Sequence, residues 1–132
     1  MKIIDNLHLC SWEEAKQLVL DLKDPFIINC TLDLPFIHEN TIRVGVNDDP
    51  IYAETLSEKI HTVCRKIDNY IKTGSPVICH CLAGRSRSAS VVVSYLVLYQ
   101  NYTQEDAIAL VRKLSPGALM FLNFQTTFDK LK

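Results

Sequence analysis

The sequence predicts an α/β fold, in which a mostly parallel or mixed sheet of four to five strands is flanked by helices. Three observations carry this expectation. Short apolar runs of strand length stand at residues 26–30 (FIINC), 41–46 (TIRVGV) and 76–80 (PVICH). Longer stretches with apolar residues at helical spacing alternate with them. The chain has 132 residues, 48% of them hydrophobic, which is enough for one domain over residues 1–132 to bury a core without covalent staples.

Each element follows from local chemistry. Residues 12–22 carry Ala15, Leu18, Val19 and Leu22 at helical spacing, with Ser11 as N-cap. FIINC reads as a buried strand and TIRVGV as another, which NDDP at 47–50 ends. Over residues 53–73, Leu56, Ile60, Val63, Ile67 and Tyr70 mark one helical face, and Gly74 stops the helix. Residues 76–80 return to strand. Residues 88–100 are apolar nearly all round, as in a buried helix, and Thr103 with Asp106 opens a further one in capping-box fashion. No repeat, low-complexity tract or linker interrupts the series.

Composition excludes several classes. A formal charge of −1 offers no general polyanion-binding surface, so no nucleic-acid partner is expected. No segment reaches the roughly 20 apolar residues that span a bilayer, so no membrane segment is expected. The first sixteen residues include acidic ones where a secretory leader keeps an apolar run. The five cysteines, at 10, 30, 64, 79 and 81, are odd in number and scattered, which argues against a disulfide framework and for a reducing compartment, cytoplasmic or nuclear. Cys79-His80-Cys81 lacks zinc-site spacing and has no second ligand pair, so no metal and no cofactor are expected.

The chemistry gathers at residues 79–88, CHCLAGRSRS. If the 41–46 strand, the 53–73 helix and the 76–80 strand form a βαβ unit, both strands end on one sheet edge, where ligands of open α/β sheets bind. Asp48 and Asp49 then face Cys81 across that edge. A strand, a short loop with Gly84 and a helix from about Ser88 make an anion cradle, because loop amides turn inward beside the positive helix N-terminus. Arg87 offers a planar fork to two phosphoryl oxygens. The same field stabilises a thiolate on Cys81, a nucleophile aimed at phosphorus. The plain alternative is a buried strand cysteine beside a helix cap.

HCLAGRSRS, residues 80–88, resembles the signature of the dual-specificity protein phosphatases, and weaker flanking similarity extends over the whole chain. IIDNLHLCSWEEA is similar to that family's opening strand and helix, FIINCT to its next strand, SASVVVSYLVLY to the helix behind the loop, and TQEDAIALVRK to the one after. The chain departs from the family in two places. Gly45 stands where a proline is usual, and the stretch 115–128 lacks the Arg-Pro and Pro-Asn marks.

The resemblance implies a metal-free hydrolysis of phosphotyrosine, phosphoserine and phosphothreonine in protein partners. Cys81 would form a cysteinyl-phosphate. Arg87 and the amides of Leu82, Ala83, Gly84, Arg85, Ser86 and Arg87 would hold the phosphoryl group. Ser88 would donate a hydrogen bond to the thiolate and help it leave, and His80 would orient the loop. The family alignment favours Asp48 as general acid, with Asp49 the other candidate, pushed toward an extended conformation by Pro50. Cys30 would be either a redox partner of Cys81 or a small core residue. Competing readings are a phosphatidylglycerophosphate- or phosphoinositide-type lipid phosphatase, in which Arg85 would attract acidic head groups, an RNA 5′-phosphatase, and a phosphate-binding module without turnover.

Overall fold

A computed structural model describes residues 1–131, and they begin with a hairpin. Strands β1 (Lys2–Ile4) and β2 (Leu7–Cys10) pair antiparallel about Asn6, which takes a φ of 67°. Asparagine tolerates that left-handed conformation. The stretch expected to open with one strand therefore opens with two. Helix α1 (Trp12–Asp21) follows, and its start is a full capping box. Ser11 Oγ accepts from the Glu14 amide at 3.1 Å, and the Glu14 carboxylate accepts from the Ser11 amide at 2.9 Å.

The chain continues through β3 (Phe26–Asn29), β4 (Thr41–Arg43), a 3₁₀ turn (Pro50–Tyr52), α2 (Ala53–Lys72), β5 (Val77–His80), α3 (Arg87–Tyr99), α4 (Gln104–Leu114) and α5 (Gln125–Asp129). Gly74 ends the α2 region with φ of 81°. The expected 41–46 strand is paired only as far as Arg43. β3 stops at Asn29, so after the Val44 amide bonds the Asn29 carbonyl at 2.8 Å no partner remains on that side. Val44 and Val46 stay buried all the same, and this anchors the loop that carries Asp48 and Asp49.

The sheet order is β1-β2-β5-β3-β4, with every pairing parallel except β1–β2. β4, α2 and β5 form the expected parallel crossover unit, and β3 sits between its two strands. Alternation along the strands divides the core. Phe26, Ile28, Cys30, Val77, Cys79 and Cys81 face the large cluster beneath α2 and α3. Cys10, Ile27 and Ile78 face the small cluster with Ala15 of α1. Helix α3 is buried from Ser88 to Val97, so it runs through the core with its N-terminus at the carboxyl edge of β5. Among the described residues, no helix is long and apolar enough to cross a membrane.

Candidate active site

Between β5 and α3 the chain closes a tight loop whose shape depends on Gly84. Its φ is 72°, and a Cβ there would lie 2.6 Å from the Cys10 carbonyl carbon and 2.7 Å from its oxygen. Only glycine fits both the conformation and the approach to the β2–α1 junction. The outer side of the loop is pinned. The Leu82 carbonyl accepts from the Trp12 amide at 3.1 Å, and the Arg85 carbonyl accepts from the Leu119 amide at 2.7 Å. Ser86 is the N-cap of α3, yet its side chain makes no capping bond. No cap side chain takes up the first amides of this buried helix, which is the arrangement that suits an anion.

Cys81 sits beneath this loop, 3% exposed. Its Sγ lies 3.1 Å from Ser88 Oγ and accepts from the Gly84 amide at 3.2 Å. Burial by itself pushes the thiol up. The side-chain and backbone hydrogen bonds of Ser88, the Gly84 amide and the Arg87 charge outweigh it and hold Cys81 below the ordinary cysteine value. The other four cysteines behave oppositely. Burial pushes Cys10 up to about 12 and raises Cys30, Cys64 and Cys79 as well. One thiol of five is thus poised to ionise, and it is the one in the loop.

His80 is fully buried, and burial lowers its pKa, which favours the neutral ring. Its Nδ1 donates to the Cys81 carbonyl at 3.2 Å, and its Nε2 has no partner among the described residues. The ring therefore holds the loop's first carbonyl. Arg87, the first residue of α3, is half-buried, and its Nη1 donates to the Val46 carbonyl at 3.2 Å. The segment that runs from β4 to the acidic loop is tied to the 80–88 loop through this contact.

The two aspartates separate clearly. Asp49 caps the 3₁₀ turn, accepting from the Ile51 amide at 3.0 Å, and so spends its carboxylate locally. Asp48 reaches the loop: its Oδ1 accepts from Ser86 Oγ at 2.5 Å and from Asn123 Nδ2 at 2.8 Å. A cleft of about 210 Å³ opens beside them, walled by Arg85, Met120 and Phe121. Sequence reasoning did not single out the Ser86 hydroxyl or Asn123. Asn123 lies 75 positions from Asp48, and no local pattern marks such a contact.

Cys30 is fully buried, and its amide donates to the His80 carbonyl at 2.8 Å. Asn29 pairs with His80 in the β3–β5 ladder, so Cys30 and Cys81 occupy the next position of adjacent parallel strands on the same face of the sheet. Cys10 lies on the opposite face. All five cysteines are free thiols. Among the described residues, no group of three or more His, Cys, Asp or Glu side chains is placed to hold a metal ion.

A poised thiol under a helix N-terminus at the carboxyl edge of a mostly parallel sheet defines a class of site, an ionisable cysteine beneath a loop of converging donors. The family model for the dual specificity phosphatase catalytic domain matches residues 7–129, and the chain belongs to that family. It is 30% identical over 129 residues to human dual specificity protein phosphatase 8, covering 93% of this chain and 20% of the relative. It is 30% identical over 129 residues to tyrosine-protein phosphatase vhp-1 of Caenorhabditis elegans, covering 92% and 19%. The chain thus spans about a fifth of the length of these relatives. The crystal structure of human DUSP28 shares the fold, with a TM-score of 0.88 and 24% identity over 98% of this chain and 93% of that one.

Proposed function

We propose that this protein is a cysteine-dependent phosphatase acting on phosphotyrosine, phosphoserine and phosphothreonine in proteins. The single observation that carries the reading is the contrast among the cysteines: Cys81 alone is held below its ordinary pKa, by donors that converge from the loop and the helix behind it. The relatives' names support protein substrates, since they are a dual specificity protein phosphatase and a tyrosine-protein phosphatase.

The steps follow from the positions. The Cys81 thiolate attacks phosphorus, the S–P bond forms, and the P–O bond to the substrate breaks with its electron pair going to the leaving oxygen. Asp48 donates a proton to that oxygen. Arg87 and the amides of residues 82–87 carry the charge of the equatorial oxygens in the transition state. Water then attacks the cysteinyl-phosphate, giving its proton to the Asp48 carboxylate, and the thiolate leaves toward Ser88. His80 keeps the loop in shape as a neutral ring. No step calls for a metal or cofactor.

The test is hydrolysis of an aryl phosphate by the wild-type chain and by Cys81→Ser. The variant is expected to bind inorganic phosphate and to lose turnover by at least about 1,000-fold, because the hydroxyl is not ionised at neutral pH. Turnover that persists in a clean preparation of the variant would overturn the assignment.

A further inference from the structure

We infer that Asn123 is a positioning residue for the proton donor: its amide, together with the Ser86 hydroxyl, occupies one oxygen of Asp48 and thereby selects the other as the one that carries the transferable proton. This rests on the reading of Asp48 as general acid.

The two contacts converge on one atom. Ser86 Oγ stands 2.5 Å and Asn123 Nδ2 2.8 Å from Asp48 Oδ1. Asn123 Nδ2 also lies 3.4 Å from the Asp48 carbonyl oxygen. An amide nitrogen can only donate, and the serine hydroxyl donates its one proton to Asp48. A carboxyl oxygen has two in-plane lone pairs, and on Oδ1 both are used. When Asp48 is neutral, its proton therefore resides on Oδ2, which these two donors leave open. The same two bonds prevent the ring-like rotation about the Cβ–Cγ bond that would exchange the oxygens. An exposed aspartate in an irregular loop would otherwise lose much of its time to unproductive orientations.

The segment that carries Asn123 is anchored on both sides of it. Phe124, next to it, is fully buried. Arg112 of α4 donates from Nη2 at 2.7 Å and from Nε at 3.3 Å to the Leu119 carbonyl, and the Leu119 amide donates to the Arg85 carbonyl of the cradle. Residues 115–124 are thus held both to α4 and to the cradle while they present one amide to the acid. This is the stretch in which the Arg-Pro and Pro-Asn marks are missing.

The experiment measures kcat/KM, which reports formation of the cysteinyl-phosphate, over a series of aryl phosphates of increasing leaving-group basicity. Asp48→Asn, Asn123→Ala, Asn123→Asp, Asn123→Gln and the Asp48→Asn/Asn123→Ala double variant are compared with the wild-type chain. Inhibition by inorganic phosphate measures the cradle, and melting temperature measures the fold. Asn123→Ala is expected to leave phosphate inhibition within about twofold. It should lower kcat/KM by about tenfold for the most basic leaving groups and by little for the least basic, a fraction of what general acid catalysis supplies. Asn123→Asp keeps the shape but replaces the donor with a carboxylate facing Asp48, and should lose more. Asn123→Gln keeps an amide donor and should recover part of the loss. The double variant should be no slower than Asp48→Asn alone.

The outcomes separate the two readings. If Asp48→Asn depends steeply on the leaving group while Asn123→Ala is flat across the series, or if the two losses multiply, the positioning role is overturned and the acid stands. If Asp48→Asn is itself flat, the acid reading fails and the positioning role falls with it.

Discussion

Ser88 is one of the groups that hold the Cys81 thiol below its ordinary pKa. Its hydroxyl lies 3.1 Å from the sulfur, in a place where burial opposes ionisation. A hydrogen bond to a charged group contributes about 1.5–3 kcal/mol. Removing it in Ser88→Ala raises the pKa of Cys81 from its depressed position. The pH at which half the thiol reacts with iodoacetate should then move upward, because the thiolate is lost sooner as pH falls. Turnover should drop by about 10- to 100-fold, since the sulfur also becomes a worse leaving group in the second step. An alkylation profile that does not move in Ser88→Ala would show that Gly84 and Arg87 hold the thiolate without it.

At the level of elements, the active loop depends on how closely β5, the loop and the β2–α1 junction meet. Gly84 combines a positive φ with a Cβ position 2.6 Å from the Cys10 backbone, and the neighbouring atoms are backbone, which cannot swing aside. Gly84→Ala must push the loop away from Cys10, and it displaces the Gly84 amide from Cys81 Sγ, now 3.2 Å away. Displacing a reacting group by about 1 Å costs on the order of 100-fold. We therefore expect kcat/KM to fall by at least about 100-fold, together with weaker inhibition by inorganic phosphate. A kinetic assay with phosphate as competitor checks both effects, and retained phosphate affinity would place the loop's stability elsewhere.

Across the whole molecule, the sheet brings together groups that the chain keeps far apart. The β3–β5 register sets Cys30 beside Cys81 on one face, although 51 positions separate them. We propose that Cys30 protects the nucleophile. Peroxide oxidises the Cys81 thiolate to a sulfenic acid, the Cys30 sulfur attacks it, and a disulfide forms as water leaves. Treatment with hydrogen peroxide followed by digestion and mass spectrometry should yield a Cys30–Cys81 linked peptide. Cys30→Ser should recover less activity on adding dithiothreitol. The absence of the linked peptide from a protein that peroxide has inactivated would return Cys30 to a packing role. The same sheet and its crossovers aim Asp48 at the loop and turn Asp49 to its own 3₁₀ turn.

Much of this was legible in the sequence, because its signals are local. Apolar runs and helical spacing marked α1, α2, β3, β5 and the buried α3, since burial on one face imposes a period on the residues that make it. The loop at 80–88 carried its thiol, glycine, arginine and hydroxyls within nine positions, so the loop and the groups it gathers could be read directly. Signals failed where a feature depends on what lies opposite. The β1–β2 hairpin needed only a turn at Asn6, and β4 stopped at Arg43 because its neighbour stopped, not because its own residues changed. Which of two adjacent aspartates bonds the loop, which cysteine lies on Cys81's side of the sheet and that Asn123 meets Asp48 were all decided by tertiary structure. Local sequence sets backbone preference and the kinds of group available, whereas long-range packing sets which groups share a face and a distance, and the chemistry of this site depends on both.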